Sequence, residues 1–432
     1  MAPPSGPATL TPGHVPAAVA DAVRDPARVS TRAIDRVAYA ADASHFLLTP
    51  RAVLTAADQD EVAAILRAAS ASGAVVTFRS GGTSLSGQAS TSGILIDTRR
   101  HFRGIEVLDG GARVRVQPGA TVRQVNARLV RHGYRLGPDP ASEAACTIGG
   151  VVANNSSGMA CGTDENTYRT LESMVFVLPS GTVVDTADPD ADHHLRTREP
   201  DLFDGLLRLQ RRVAANPDSV ATIERQFRMK NTMGYGINAF LDYTSPADLL
   251  AHLIIGSEGT LAFVSSVTYR TVPLKRAVTT ALAVFRNLDD ATRALPALVD
   301  TGAATLEVMD STSIRVGQGF AEAPPQIRGF VPTDEAALLI EYHATAAEEL
   351  AGLATQGARV LAEMPLRTVA EFSTDAQARA LAWKLRKGLY ATVAGARARG
   401  TTALLEDVVV PVPRLADTCN GLQELFLRHG YD

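Results

Sequence analysis

Arg79-Ser80-Gly81-Gly82-Thr83-Ser84-Leu85-Ser86-Gly87 lies between two apolar segments, Ala74 to Phe78 and Ile94 to Asp97, that both read as strands, the first of them buried. Consecutive Gly and Ser residues let backbone N–H groups converge on a concave anion site with no Cβ in the way, which suits a phosphate or pyrophosphate. The spacing is not G-x-G-x-x-G, no helix follows, and the lysine of a P-loop is missing, so neither of those nucleotide motifs is present. A flexible surface loop has the same composition, and this segment alone leaves both readings open.

Upstream, Asp58-x-x-Glu61 reads as a capping box, and Val62, Ile65, Leu66 and Ala69 recur at helical spacing until Gly73. Before Tyr39 only a short helix, Val15 to Val23, and weak order are expected. Downstream, strands are expected at Ala112 to Gln117, Met174 to Leu178 and Thr182 to Asp185, the last two joined by a turn at Pro179-Ser180-Gly181. A helix from Thr121 to Arg131 ends at Gly133. Strands and helices do not alternate as a doubly wound parallel sheet requires, so the fold class is α+β. From Val278 the pattern changes: strands Thr279 to Phe285, Thr305 to Met309 and Ala337 to Tyr342, with a helix from Leu288 to Thr301, imply a second sheet with helices on one side. The expected organisation is therefore an arm over residues 1–38, a domain over 39–273 and a second domain over 274–432.

Of the 432 residues, 46% are hydrophobic and 20% charged, which is the composition of a folded chain. Lys plus Arg total 42 against 46 Asp plus Glu; a net charge of -4 leaves no positive field for a polyanion, so nucleic acid is excluded as the main partner. Cys146, Cys161 and Cys419 are too few and too scattered for a disulfide framework or a CxxC metal site. Met1 to Pro16 lacks the basic and apolar regions of a signal peptide, and no stretch approaches the roughly 20 apolar residues of a membrane span. The expected compartment is cytoplasmic, with membrane contact at most peripheral.

Two further small-residue segments matter. Pro138-Asp139-Pro140-Ala141-Ser142 is followed by Thr147-Ile-Gly-Gly-Val-Val-Ala-Asn-Asn-Ser-Ser-Gly158, a run with too few large side chains to fill a core, against which something flat and large can lie. Gly256-Ser-Glu-Gly-Thr-Leu261 leads into an alternating strand, Ala262 to Arg270. Three such turns beside strands can converge on one extended cofactor, although ordinary turns would look the same.

Taken in order with Lys230-Asn-Thr-Met-Gly-Tyr235, these segments make the chain resemble, from about residue 39 onward, the FAD-linked oxidases of the vanillyl-alcohol oxidase and p-cresol methylhydroxylase type. The branch it resembles holds D-lactate and D-2-hydroxyglutarate dehydrogenases and the glycolate oxidase flavin subunit. The resemblance implies an FAD-binding domain of two α+β subdomains, with the pyrophosphate on Ser80, Gly81, Gly82, Thr83, Ser84, Gly87 and Gln88. It sets the flavin against Pro138, Asp139, Ser142, Thr147, Gly149, Gly150, Asn154, Asn155, Ser156 and Gly158, with Glu258 and Gly259 near the cofactor and Val264 near its adenosine end. Members that attach flavin through histidine carry it where Thr83 stands here, so the implied FAD is non-covalent. Cys146 and Cys161 flank the flavin segment and read as buried thiols rather than thioether anchors.

The second domain is by the same resemblance the substrate, or cap, domain. Trp383-Lys-Leu-Arg386 followed by Leu405 to Pro411 resembles the part that presents an arginine to the substrate carboxylate, which makes Arg386 the orienting residue. A solvated basic helix face shared with Arg379, Lys384 and Lys387 is the competing reading. Leu405 stands where some relatives carry Lys, which leaves the acid open. His343, at the end of a strand, is the candidate base. His193 and His194 beside Asp190 and Asp192 lie in a polar stretch and read as solvated. The histidine-rich segment of the family is not found before Asp432, so the cap domain reads as incomplete at its C-terminus. A divalent metal and an iron–sulfur cluster are assigned to sequence beyond it. The implied activity is oxidation of a D-2-hydroxy acid to the 2-oxo acid by hydride transfer to flavin N5, with electrons passing to an iron–sulfur domain, a quinone or an electron-transfer protein. A flavin oxidase or reductase on another alcohol or enol, and an electron-relay subunit with no substrate of its own, are the alternatives.

Overall fold

The computed structural model describes residues 14–232, 234–402 and 408–430. Met233, Leu405 with its neighbours Glu406 and Asp407, and Tyr431 and Asp432 lie outside the described residues. The chain forms two compact units, Met1–Pro273 and Leu274–Asp432, both of α+β architecture.

Among the described residues the first unit holds two larger sheets and a two-stranded ribbon. One has β1 (Val29–Ser30), β2 (Ala52–Thr55), β3 (Val76–Arg79) and β4 (Ile94–Asp97) in the order β1-β2-β4-β3. β2 and β4 are buried almost throughout and run parallel, the arrangement that apolar strands covered on both faces adopt. β3 is half-buried along its length because it is the edge strand, paired only with β4, and so is not the buried strand its composition suggested. The Gly-rich loop therefore joins two parallel neighbours.

The helix Gln59–Ser72 starts where expected, with Asp58 accepting the Glu61 N–H at 3.0 Å, and ends at Gly73 with φ 64°. The return half of the capping box is replaced. Glu61, fully buried, accepts instead from the amides of Arg24 at 2.8 Å and Ala57 at 2.6 Å and from Arg28 Nη2 at 2.7 Å. Those contacts fold the segment before Tyr39 into the domain rather than leaving it weakly ordered: Ala17–Asp21 is helical, Val19 and Val23 are buried, β1 pairs with β2, and a helix spans Ala33–Ala38.

The other sheet of this unit is built from β5 (Ile105–Leu108), β6 (Arg113–Val116), β8 (Leu171–Val177), β9 (Val183–Asp185) and β10 (Phe263–Arg270) in the order β5-β6-β10-β8-β9, antiparallel throughout. A two-stranded ribbon pairs β7 (Tyr134–Arg135) with β11 (Val272–Pro273). One continuous core joins β6, β8 and β10 to the helices Val122–Leu129, Ile148–Asn154, Pro200–Ala214 and Pro246–Ile254. Phe263 lies tilted against Phe78, ring centroids 4.6 Å apart, and meets Phe102 edge-on at 5.2 Å, so the two sheets share an apolar seam close to the Gly-rich loop.

The second unit is a three-stranded antiparallel sheet of β12 (Ala277–Phe285), β13 (Thr305–Met309) and β14 (Ala336–Ala344) in the order β12-β14-β13. Helices cover both faces, not one. Leu338, Ile340 and Tyr342 pack with Ala291, Leu295, Leu298 and Leu361, while Ala337 and Leu339 pack with Ile314, Ala382 and Leu385. A strand apolar at nearly every position needs cover on each side. The single helix expected from Leu288 to Thr301 is two, Leu288–Arg293 and Leu295–Asp300; Pro296, with no N–H to donate, falls in the first turn of the second.

Candidate functional site

The motif segments of the first unit are hydrogen-bonded to one another across separations of up to 105 residues. Thr147 Oγ1 donates to Ser80 Oγ at 2.6 Å and accepts the Gly81 N–H at 3.1 Å, while Ser80 Oγ donates to the Pro118 carbonyl at 3.0 Å. A Cβ on Gly81 would meet the Ala145 carbonyl oxygen at 2.7 Å, so only glycine lets the two loops touch there. Asp139 N–H bonds the Ser157 carbonyl at 2.9 Å, and the Asp139 carboxylate accepts from the amides of Ala160 at 3.0 Å and Cys161 at 3.2 Å. Burial raises the Asp139 carboxyl above its usual value despite those amides. Gly256 N–H bonds the Val152 carbonyl at 3.0 Å, Glu258 N–H bonds the Ala153 carbonyl at 2.8 Å, and Asn155 Nδ2 reaches the Asn231 carbonyl at 3.4 Å.

The Gly-rich loop, the Asp139 turn, the Glu258 turn and the helix Ile148–Asn154 thus line one surface. Asn154, Ser156 and Glu258 form a chain along it, Ser156 Oγ donating to Asn154 Oδ1 at 2.8 Å and Asn154 Nδ2 to Glu258 Oε1 at 2.7 Å. Asn155 and Glu258 are both left-handed, each with φ 52°, a conformation costly for residues with side chains and found where surroundings impose it. Gly150 and Gly259 are exposed on the same segments. Ser84 bonds Gln88, and Gly87 lies against the Phe46 ring. Pro138 is buried, Ser142 is exposed, and Gly149 packs on Pro118. Val264, by contrast, is a core residue of β10.

The chemistry of this surface fits a flavin dinucleotide. Among the described residues no acceptor meets the amide N–H groups of Gly82, Thr83, Ser84 and Leu85, which leaves a row of donors on a half-buried loop. Arg79 Nε, Asn155 Oδ1, Ser157 Oγ and Ser257 Oγ are buried without a hydrogen-bond partner, the state of polar groups that a polar ligand would satisfy.

In the second unit, Arg386 Nε donates to Glu307 Oε2 at 2.6 Å, and its terminal nitrogens have no partner among the described residues. His343 Nε2 lies 2.6 Å from Glu341 Oε1, and the same carboxylate accepts from Trp383 Nε1 at 2.7 Å and from Thr280 Oγ1. Burial alone would raise the Glu341 carboxyl, but those bonds hold it below the ordinary range. Arg386 pairs with Glu307, and His343 is hydrogen-bonded separately to Glu341. Arg379 leans on Thr280 and Glu341, and Lys384 pairs with Glu322, so the basic helix is largely ion-paired rather than free. His193 and His194 are exposed on the helix Ala191–Arg198, and among the described residues no group of three or more His, Cys, Asp or Glu is placed to hold a metal ion. No described helix is long and apolar enough to cross a membrane. The buried Glu341 network and the buried, unpartnered Nε of Arg79 escaped the sequence; the one available sign was that Arg79 heads the Gly-rich motif.

Residues 50–187 match the family of FAD binding domains, and residues 274–432 match the C-terminal domain of FAD linked oxidases. The chain carries both domains of an FAD-linked oxidase. It is 28% identical over 298 residues to a D-2-hydroxyglutarate dehydrogenase of Pantoea ananatis, covering 67% of this chain and 29% of that one. It is 28% identical over 293 residues to a D-lactate dehydrogenase of Archaeoglobus fulgidus, covering 65% and 53%. It is 29% identical over 303 residues to the glycolate oxidase subunit GlcD of Escherichia coli, covering 69% and 49%. The matched part is thus about half or less of each relative. Among solved structures, an alkyldihydroxyacetonephosphate synthase shares the fold with a TM-score of 0.60 at 15% identity, covering 86% of this chain and 62% of that one.

Proposed function

We propose that this FAD-linked oxidoreductase binds FAD non-covalently in its first domain and oxidises a D-2-hydroxy acid to the 2-oxo acid. The observation that carries the reading is the meeting of the Gly-rich loop, the Asp139 turn, the helix Ile148–Asn154 and the Glu258 turn on one surface with unpartnered donors. Relatives that act on D-2-hydroxy acids support the substrate class. When bound, FAD supplies the acceptor for the hydride that leaves the substrate carbon.

The chain's own residues do the rest. The amides of Gly82 to Leu85 bind the pyrophosphate, and Asn154, Asn155, Ser157 and Ser257 offer polar groups to the flavin edge. Arg386, held at Nε by Glu307, keeps its two terminal nitrogens to grip a carboxylate with parallel bonds, which orients the carbon bearing the hydroxyl. His343 has Nε2 directed at Glu341, so that nitrogen carries the proton and Nδ1 keeps the lone pair that accepts the hydroxyl proton.

Bleaching of the bound flavin by a panel of D-2-hydroxy acids under anaerobic conditions tests the activity; a flavin bleached by none of them refutes it. Arg386→Lys is expected to raise KM for the acid by about 10-fold or more with flavin content unchanged, because a point charge does not reproduce the two-pronged grip. Unchanged kinetics would return Arg386 to a purely structural pair with Glu307.

Non-covalent attachment has its own check. Thr83 offers an unactivated hydroxyl in place of an imidazole, and burial pushes the Cys161 thiol up to about 12, with Asp139 adding to the rise, so it is protonated at neutral pH. Acid precipitation is expected to release the yellow colour into the supernatant, and colour kept in the pellet would show a covalent link.

A further inference from the structure

Arg79 is an arginine with a buried, unpartnered nitrogen and no carboxylate in direct contact, the charges of Asp42 and Asp97 reaching it only at longer range. Its Nη1 donates to the Tyr39 carbonyl at 3.2 Å and its Nη2 to the Ala41 carbonyl at 2.7 Å, while Nε is buried and unpartnered. No described carboxylate oxygen lies within salt-bridge reach of it, whereas neighbouring Arg99 is neutralised by Asp97 at 2.9 Å. The guanidinium lies flat under the Gly-rich loop: a Cβ built on Gly82 would fall 2.6 Å from Nε, 2.7 Å from Nη2 and 2.9 Å from Cζ. On its far side it rests on the Tyr39 ring, Cζ 5.8 Å from the centroid. Desolvated charges are ordinarily paired, yet here the partners are two carbonyls, and the loop above presents a row of unpartnered amides.

The same guanidinium fastens a second segment. Residues 39–48 form a small hairpin, closed by the Ala41–Leu47 bridge and by the Leu48 N–H to the Ala40 carbonyl at 2.9 Å. That hairpin touches the loop at three points: Arg79 on its carbonyls, the Ala43 N–H on the Gly82 carbonyl at 3.1 Å, and the Phe46 ring on Gly87.

We propose that Arg79 is a positioning residue for the phosphate-bearing ligand, holding a fixed positive charge beneath the amides of Gly82 to Leu85 and tying the 39–48 hairpin to them. The proposal rests on the reading of this loop as the FAD pyrophosphate site. An anion above the loop adds a close counter-charge to the longer-range ones of Asp42 and Asp97. The ligand class that follows is a diphosphate, and loop and hairpin tighten together when it binds.

The test is titration of the full chain, stripped of flavin, with FAD, ADP and adenosine. Arg79→Met is expected to raise Kd for FAD and ADP by about 30-fold, leaving adenosine binding unchanged and flattening the salt dependence, while Arg79→Lys restores most of the affinity by restoring the charge. Equal affinity in Arg79→Met and wild type, or equal loss in the Met and Lys variants, overturns the proposal. Gly81→Val separates it from the underlying reading, because the added side chain drives the loop off the Ala145 carbonyl without touching Arg79. Retained FAD in a folded Gly81→Val protein would sink the pyrophosphate reading itself. Should the Arg79 variants not fold, hydrogen exchange of the wild-type chain decides. ADP is expected to slow exchange at Ala43 as well as at Gly82 to Leu85, and protection confined to the loop would refute the coupling.

Discussion

Gly82→Val is expected to give a folded, colourless protein, with Kd for FAD raised by about 100-fold or more, or about 2.7 kcal/mol. Two physical effects act together. Gly82 has φ 66°, a left-handed conformation that a β-branched side chain adopts only at a cost. Its Cβ would also fall inside contact distance of the Arg79 guanidinium, which is held from below by two backbone carbonyls and cannot retreat. The loop therefore lifts, and the amides of residues 82–85 lose their common focus. The sheets beneath are bonded strand to strand and do not depend on this residue, so the far-UV circular dichroism is expected to stay near wild type. Full flavin content in the variant would remove the loop from the site.

Glu61→Gln is expected to destabilise the first domain by about 3 kcal/mol, lowering Tm by roughly 6–12 °C. The buried Glu61 carboxylate takes two backbone amides and the Arg28 guanidinium, and those bonds outweigh burial, holding its pKa at about 2 against the ordinary 4.5. A carboxyl whose folded pKa is depressed contributes stability that is fully present above 4.5 and is lost as the pH falls through about 2. Wild type is thus expected to lose about 3 kcal/mol over that window relative to the Gln variant. Parallel acid-unfolding curves for the two proteins would show that Glu61 is not the group responsible. Limited proteolysis adds a structural check, since residues 24–28 are expected to become cleavable in the variant.

Both cases bear on what the sequence could reveal. The Gly-rich loop and the Asn154–Gly158 and Glu258 turns stand out in the sequence because their character is local: small residues free the backbone and leave its amides accessible. Glu61 was legible only in part. Its position three residues after Asp58 fits a capping box, but the arginines that capture it come from more than 30 residues upstream, and no periodicity links the two segments. The same distance hid the order in residues 14–38, where Val19 and Val23 look unremarkable until the helix Gln59–Ser72 is there to receive them. In the second domain β14 could be read as a strand, yet the helices on its second face were missed because Ala337 and Leu339 were not separated from their neighbours as a face of their own. Arg386 and His343 were chosen for chemistry, and the carboxylates that hold them, Glu307 and Glu341, lie on strands with no motif to mark them.

β10 occupies the middle of the five-stranded sheet, between β6 and β8, although it follows them by roughly 90 to 150 residues. During synthesis, β6 and β8 leave the ribosome long before the strand that separates them, and each waits with a ladder edge unpaired. Sheet closure is therefore a late event, completed only after residue 270 has emerged, and the interval is one in which other β edges can compete for the same positions. Chaperone demand during translation should peak there, and ribosome-stalled chains ending before β10 should be captured by holdases that release those ending well beyond it.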